Sequence, residues 1–498
     1  MADLSSASPP GRYPVVVVGS GPGGLQVAYY LRRLGISFAH VSADAEPGGM
    51  FRRFPIMGRL VSWTKRHAVV DRDARSYERF DWNSLITEDP TERVHMSELM
   101  DGSSYFPARP EMERGIAAFA ARQALEIRYG CRWEATSRTG DGFVMGTSDG
   151  AYHCRVMVLA VGMAVPWKPS VPGFDQVVHY GDFKEPRAYE GRTVFIVGKR
   201  NSGFELADGL LPWARQIFLG SPRPAKVSVI TRSLAGARAR YLQPYEDHVL
   251  GGGNFLVDAT IDRVERVASG YRVHTSGTTV PGKFTYEVDD VIAATGFQAP
   301  LADLRDIGVR TFLQDRLPTM TPYWESASVP GIYFAGTTSQ GATELRKHGI
   351  VSASTAVHGH RYNSRVLARH IAARHFGIEP DSAEVAPDGF VNLLLSELTE
   401  SPVLWHQRGY LARIFVPAEN GLIIDRDVQP LAHFLDAPGP DAVGATLESD
   451  ESSAIYPAIY VRRAGLVSEH LVEPAHMHDF RTSENRALLT DRLKHLMP

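Results

Sequence analysis

Val15-Val16-Val17-Val18 runs straight into Gly19-Ser20-Gly21-Pro22-Gly23-Gly24, and the fold turns on how that stretch is read. Four consecutive β-branched residues suit a strand buried on both faces of a parallel sheet. Leu25 to Leu34 has helical spacing with Gly35 as its C-cap, and Phe38-Ala39-His40-Val41 is a second strand. In that strand–helix–strand order, G-x-G-x-x-G is a dinucleotide-binding fingerprint. Gly19 allows the tight turn, Gly21 lets backbone approach a pyrophosphate, and Gly24 lets helix and strand pack closely. The helix N-terminus then turns unpaired N–H groups and a positive partial charge toward the phosphates. The ribose-binding acid expected about 20 residues on is replaced by Ser42, with Asp44 two positions later. Either the Ser42 hydroxyl bonds the ribose or Asp44 reaches back to it.

Working outward, a second such unit starts at Thr193-Val194-Phe195-Ile196-Val197-Gly198 and continues through Lys199, Arg200, Asn201, Ser202 and Gly203 into an apolar-periodic stretch, Phe204 to Leu211. Its next strand is expected at Lys226 to Thr231, ending at Arg232, where a guanidinium suits the 2′-phosphate of NADPH. Arg200 replaces the middle glycine, so its side chain either crowds a pyrophosphate or pairs with it. Val158 to Gly162 and Val291 to Gly296 are apolar strands ending at a glycine, and Gly331 to Thr338, holding Gly336 and Thr337, is a third. Gly349 to Ala373 has the spacing of a long helix.

The expected fold is α/β: two Rossmann-like dinucleotide-binding domains, the second inserted in the first, plus a C-terminal α+β block. The first spans 1–165 and 300–378, the insert 170–298 and the block 379–498, where Leu411 to Val416 and Ala454 to Val461 have strand-like runs and the acidic 448–451 reads as a loop. A chain of 498 residues suits about two to four domains. Its 44% hydrophobic and 22% charged residues are those of a soluble globular protein. A net charge of -3 makes no electrostatic case for a nucleic-acid or membrane partner. With Cys131 and Cys154 as the only cysteines, there is no disulfide framework, four-thiolate metal site or C-x-x-C pair, and both read as buried small hydrophobes. No metal site is expected. Met1 to Pro14 lacks a signal-peptide pattern, and no run reaches the roughly 18 apolar residues of a membrane span, so the expectation is a cytoplasmic protein.

With these residues in place, the chain resembles the two-dinucleotide-binding-domain flavoproteins and, within them, the flavin-containing monooxygenases. It is most similar to the group of the endoplasmic-reticulum flavoprotein associated with degradation and its bacterial relatives. The general marks cover 1–378. The narrower ones are Gly48-Gly49-Met50-Phe51 and the four residues after it, Leu60 to Arg66, Phe80 to Leu85, Tyr105-Phe106-Pro107 and His358-Gly359-His360-Arg361-Tyr362-Asn363.

The resemblance implies FAD and NADPH as cofactors. It places the ADP half of FAD on Gly19, Gly21, Gly24 and Ser42, runs Gly48 to Phe51 along the flavin, sets Trp133 against adenine, and puts Gly162, Gly336 and Thr337 beside the ribityl chain or pyrophosphate, where Thr337 replaces a usual Asp. NADPH falls on Gly198, Arg200, Asn201, Ser202, Gly203, Arg232 and Gly296. The helix after Gly349 aims its N-terminus at the flavin N1/C2 carbonyl. The monooxygenase fingerprint is shortened to Pro172–His179, and Ser62, Trp63 and Thr64 occupy the stretch where the family carries an Asn. No catalytic residue is assigned; Lys65, His348 and His358 are the candidates.

The implied function is a single-component monooxygenase in which a flavin C4a-(hydro)peroxide passes one oxygen atom of O₂ to a small molecule such as an amine, an amino acid or a natural-product intermediate. The rivals are an NADPH-dependent reductase without oxygen transfer and a flavin-bound, non-catalytic binding module. The block 379–498 is then a substrate cover or the interface of a homo-oligomer.

Overall fold

Strand β1 (Gly11–Val18) forms the centre of the first sheet, and its Val15 to Val18 are at most 4% exposed. The computed structural model that shows this describes residues 7–228, 236–251, 253–342, 347–349, 351–379, 381–452 and 454–494. Its contacts divide into two units, Met1–Arg52 with Ser62–Gly162 and Leu301–Pro498, and Arg53–Val61 with Met163–Pro300. The sequence reading put 53–61 in the first domain; these residues pack with the second unit instead. Phe54 stacks on Tyr180 at 5.5 Å, and the Met57 N–H donates to the Glu205 carboxylate at 2.8 Å.

In the first unit, α1 (Pro22–Arg33) starts on a proline, whose missing N–H costs nothing in a first turn, and stops before Gly35 at φ 69°. β1 pairs in parallel with β2 (Phe38–Val41), Val18 opposite Val41, and with β5 (Gly150–Leu159), Val18 opposite Leu159. Helix α2 (Arg109–Arg122) precedes an antiparallel meander of β3 (Trp133–Thr139), β4 (Gly142–Thr147) and β5.

The second unit is a seven-stranded sheet. In chain order it comprises β6 (Val178–His179), β7 (Thr193–Val197), β8 (Gln216–Ser221), β9 (Phe255–Val267), β10 (Gly270–Gly277), β11 (Lys283–Val288) and β12 (Asp290–Ala293), in spatial order β11-β10-β9-β8-β7-β12-β6. Helix α3 (Asn201–Leu210) joins β7 to β8. The strand expected at 226–231 is thereby corrected. The chain returns to the sheet earlier, as β8, which pairs in parallel with β7 and buries Ile217 and Leu219 completely. Val227 makes one isolated bridge with Ala237, and 229–232, Arg232 included, lie outside the described residues.

Back in the first unit, β13 (Ile332–Phe334) pairs with the end of β5, so the parallel order is β2-β1-β5-β13. The long helix, α4, runs Val357–Phe376 rather than from Gly349. Ser352 caps a short 3-10 turn, Ala353–Thr355, and Ala356 is extended, so the α-helix cannot begin until Val357. Segment 379–498 joins the first unit by its contacts but builds its own antiparallel sheet. That sheet comprises β14 (Ala383–Val385), β15 (Leu411–Pro417), β16 (Ile423–Pro430), β17 (Ala442–Ser449), β18 (Ile455–Arg463) and β19 (Leu466–Leu471), in the order β14-β16-β15-β17-β18-β19. Helices α5 (Pro387–Glu400) and α6 (Ser483–Leu493) cover it through Leu394, Leu398, Leu489 and Leu493, packed with Phe415 and Ile459. The expected loop at 448–451 is half strand: Glu448 and Ser449 end β17 opposite Tyr456 and Ile455. No helix among the described residues is long and apolar enough to cross a membrane.

Candidate functional site

The parallel order of the first unit reverses between β1 and β5, and in such sheets a crevice opens beyond the carboxyl ends of the strands on either side of that point. The glycines after β1 lie there, and packing demands most of them. A β-carbon on Gly19 would come within 2.5 Å of the Ala160 carbonyl oxygen, and one on Gly24 within 1.9 Å of the Gly19 carbonyl oxygen. Gly21 differs. Its nearest neighbour would be Gly49 Cα at 3.7 Å, so the protein itself leaves room for a side chain. What its absence provides is backbone open to a ligand at the start of α1, the requirement of a dinucleotide pyrophosphate.

Around this cradle, Gly48 donates its N–H to the Ser20 carbonyl at 3.1 Å, which brings the Gly48–Phe51 stretch over the fingerprint. Gly162, beyond β5, would place a β-carbon 3.4 Å from Met50 Cγ and 3.8 Å from Thr337 Oγ1, so Met50, Gly162 and Thr337 share one small space. The Ser42 hydroxyl is buried and hydrogen-bonded to Ser20 at 2.8 Å, and Ser20 also reaches the Asp44 carboxylate at 3.4 Å. Asp44 is therefore the acid held at the end of β2. Backbone bonds from Ser42 to Arg128 and from Cys131 back to Ser42 carry the chain past that end to Trp133, whose indole N–H donates to Thr136 at 2.9 Å. His40 is buried under the first turn with Nε2 at 2.9 Å from the Gly19 carbonyl, and burial pulls its imidazole down to about 4.

The second cradle repeats the first in detail. A β-carbon on Gly198 would meet the Ala294 carbonyl oxygen at 2.4 Å, and one on Gly203 the Gly198 carbonyl oxygen at 1.9 Å. Arg200, at the middle-glycine position, caps α3 with extended backbone and an exposed side chain. Asn201 is anchored to the Gly236 carbonyl at 3.3 Å and the Arg238 N–H at 2.9 Å, and Ser202 follows it in the first turn of α3. The Gly296 carbonyl is held by the Trp167 N–H and by His179 Nε2 at 2.9 Å. Since β8 is the second strand, the cation beyond its end is the exposed Arg223, two residues after Ser221.

Residues 62–66 meet the short motifs 80–85 and 358–363 in space. Asp81 accepts from the Thr64 hydroxyl at 2.8 Å and from the N–H groups of Asn83 and Ser84 at 3.0 Å. The Asn83 amide oxygen takes the Ser62 hydroxyl at 2.5 Å while its NH₂ donates to Thr64, so a buried Asn bridges Ser62 and Thr64. Arg361 is wholly buried and donates to the carbonyls of Asp81, Ser84 and Glu78. Of the three candidate catalysts, His358 stacks on Trp82 at 4.0 Å and is 3% exposed, Lys65 is exposed with its ammonium 6.0 Å over the Phe80 ring, and His348 Nε2 lies 2.7 Å from the Tyr456 hydroxyl. They occupy three separate settings. Gly349 adjoins His348 at φ 71°, eight residues before α4 begins.

The sequence reading had no signal for the tether behind Thr337. Asn363 donates to the hydroxyls of Ser339 at 3.2 Å and Ser354 at 3.0 Å, and Gln407 donates to the Asn363 amide oxygen at 2.6 Å while accepting the Ala353 N–H at 2.9 Å. All four side chains are at most 2% exposed.

Residues 16–336 match the pyridine nucleotide-disulphide oxidoreductase family. The chain belongs to that family. It is 27% identical over 441 residues to the FAD-dependent oxidoreductase domain-containing protein 2 of Mus musculus, covering 81% of this chain and 64% of that protein. The chain thus spans just under two thirds of that relative. The ferredoxin–NADP reductase of Salinispora tropica is 27% identical over 359 residues, 69% of this chain and 92% of that protein. The flavin-containing monooxygenase of Stenotrophomonas maltophilia superposes with a TM-score of 0.55 at 20% identity, over 73% of this chain and 99% of that one. The fold is that of the two-dinucleotide-binding-domain flavoproteins, and membership of this oxidoreductase family implies FAD and NADPH as cofactors. The first cradle fits FAD, with Gly21 open to the pyrophosphate and Asp44 placed for a ribose.

Proposed function

We propose that the chain is a single-component FAD- and NADPH-dependent monooxygenase acting on a small molecule. One observation narrows the reading among oxidoreductases and supports an acceptor that diffuses in: neither thiol is placed to relay electrons. Cys131 lies against Thr147 at 3.3 Å, Cys154 stands in register with Tyr13 and Phe143, and burial pushes the Cys154 thiol up to about 12. A thiol so far from ionising is a poor nucleophile, so reducing equivalents leave through a diffusing acceptor. Bound FAD would supply hydride acceptance from NADPH and reduction of O₂, one oxygen atom passing to the substrate and the other leaving as water. The chain's own contribution is to hold the pyrophosphate on Gly21 and the α1 N-terminus, orient the ribose through Asp44, and exclude water with the packed Trp63, Trp82 and His358. The substrate and O₂ are the proposed partners.

The likeness to a ferredoxin–NADP reductase over 92% of its length supports a second reading, electron transfer without oxygen insertion. Stopped-flow spectroscopy separates the two. The protein, reduced anaerobically with NADPH and mixed with O₂, is expected to pass through a transient absorbing species before the oxidised flavin spectrum returns. A direct return to oxidised flavin, with cytochrome or ferredoxin reduced in turn, would establish the reductase and overturn the monooxygenase.

A further inference from the structure

The face of the C-terminal sheet away from α5 and α6 packs Ile414, Phe434 and Ala442 together, and it opens on a cavity of about 440 Å³ bounded also by α4 and Tyr323. Aromatic rings meet in its wall: Tyr323 stacks on His370 at 4.0 Å and meets His433 edge-on at 4.8 Å. Neither imidazole is hydrogen-bonded through its ring among the described residues, and both are only part-buried, so their ring nitrogens are open to the cavity. Burial pulls His370 down to about 4 and lowers His433 as well, so at neutral pH each ring is uncharged and carries one N–H donor. Charge in this wall is uneven. Arg369 is answered by Asp427 and by Glu88 at 3.6 Å. Arg462, 6% exposed and 4.4 Å over the Phe434 ring, gives its Nη groups to the Phe434 and Pro440 carbonyls and makes no ion pair among the described residues. It is close enough to His433 to oppose protonation of that ring. Glu379, Asp381 and Arg426 stand exposed to solvent.

Carbonyl dipoles satisfy a guanidinium's donors without cancelling its charge, and a cation taken out of water with no counter-ion is unfavourable. The interior therefore holds one unmet positive charge with the His433 ring beside it, while solvent screens the exposed charges at the mouth. One unit of negative charge answers it; a dianion such as phosphate overshoots, and a cation is repelled. The rest of the wall, Val366, Ala373, Ile414 and Val428 with the Tyr323 and His370 rings, suits an apolar, ring-sized body. We propose that this cavity binds a small aromatic monocarboxylate, its carboxylate accepting the His433 N–H beside Arg462 and its ring against Ile414, Val428 and the Tyr323–His370 stack. The volume lies within the range of small-molecule sites. His370 and Ala373 lie 13 and 16 residues along α4 from Val357, roughly 20 and 24 Å at 1.5 Å per residue. The site is thus toward the C-terminal end of α4, whereas the turn carrying Thr337 is tied to Asn363, nearer the start of the helix.

Calorimetric titration of the flavin-loaded protein tests this, with benzoate, 3-phenylpropionate and 2-naphthoate as probes and benzyl alcohol, benzylamine, acetate and inorganic phosphate as controls. At least one of the three aromatic carboxylates is expected to bind once per chain without altering the flavin spectrum, and every control at least about tenfold more weakly. Ala373→Trp, at a part-exposed position on α4, fills the cavity and should abolish binding. His433→Phe keeps a ring on Tyr323 and removes the N–H, and should weaken the carboxylate about tenfold, equivalent to about 1.4 kcal/mol. The proposal is overturned if none of the three probes binds, if benzyl alcohol or phosphate binds as tightly, if binding perturbs the flavin spectrum, or if either variant binds as the parent does.

Discussion

Glu448 ends β17 at 6% exposure, with Oε1 lacking a hydrogen-bond partner and the Gly409 backbone against its carboxylate. Burial pushes its carboxyl up to about 7, Glu469 adds to the rise, and Lys347 and Arg408 oppose it. Because the folded value lies above the ordinary 4.5, its contribution is fully favourable below pH 4.5 and is lost as pH rises toward 7. That loss is at most about 3 kcal/mol. Glu448→Gln should therefore stabilise the protein by about 2–3 kcal/mol at pH 8 and flatten its stability between pH 4.5 and 7, as read from urea midpoints across that range. An unchanged pH profile would show that this carboxyl is not a significant term. Residue-scale detail of this kind was partly legible in the sequence. Ser42 could be flagged as a departure from the expected acid, but only the Ser20 bridge shows that Asp44 is the acid held in reach.

At the scale of elements, the turn after β13 is held from behind by Asn363 on α4 and by Gln407, which comes from the C-terminal segment just before β15. Removing the Gln407 amide leaves the Ala353 N–H and the Asn363 carbonyl buried and unpaired, at about 1–3 kcal/mol. Gln407→Leu should fold, yet bind FAD about tenfold more weakly, measured by flavin fluorescence released on dilution. FAD retention equal to the parent's would disconnect the tether from the cofactor. Elements also mark where local reading failed. β8 has a weak local signature, because Gly220 and Pro222 interrupt an otherwise apolar Ile217-Phe218-Leu219, whereas 226–231 is more β-branched; parallel pairing with β7 overrides that preference. The start of α4 is hidden in the sequence because helical spacing continues upstream through Gly349, and the Ser352-capped turn that interrupts it has no strong local signature.

For the whole molecule, buried histidines set the acid limit. Burial pulls His40 and His370 down to about 4 and His360, also beside Arg361, to about 3. A folded value below the ordinary 6.5 means stability that is present above pH 6.5 and lost as pH falls toward 4. Three such groups, at up to about 3 kcal/mol each, exceed the opposing contribution of Glu448. Thermal unfolding should therefore shift down steeply below pH 6, and His370→Gln should soften the fall. A flat midpoint from pH 7 to 5 would remove the buried imidazoles as its cause.

What the sequence determined by itself is what glycine and strand patterning encode locally: two βαβ units, the turn at Gly19–Gly24 and its repeat at Gly198–Gly203, and hence the two nucleotide cradles. The reason is that Gly19, Gly24, Gly198 and Gly203 tolerate no β-carbon, a constraint written in residue type alone. Everything that depends on partners distant in the chain was decided by tertiary structure. Asp81 meets Thr64 and Arg361, Asn83 meets Ser62, Gln407 meets Asn363, and Arg93 meets Glu78. Polar groups of this kind carry no periodicity, so only burial, which forces each to find an acceptor or go without, shows which ones matter.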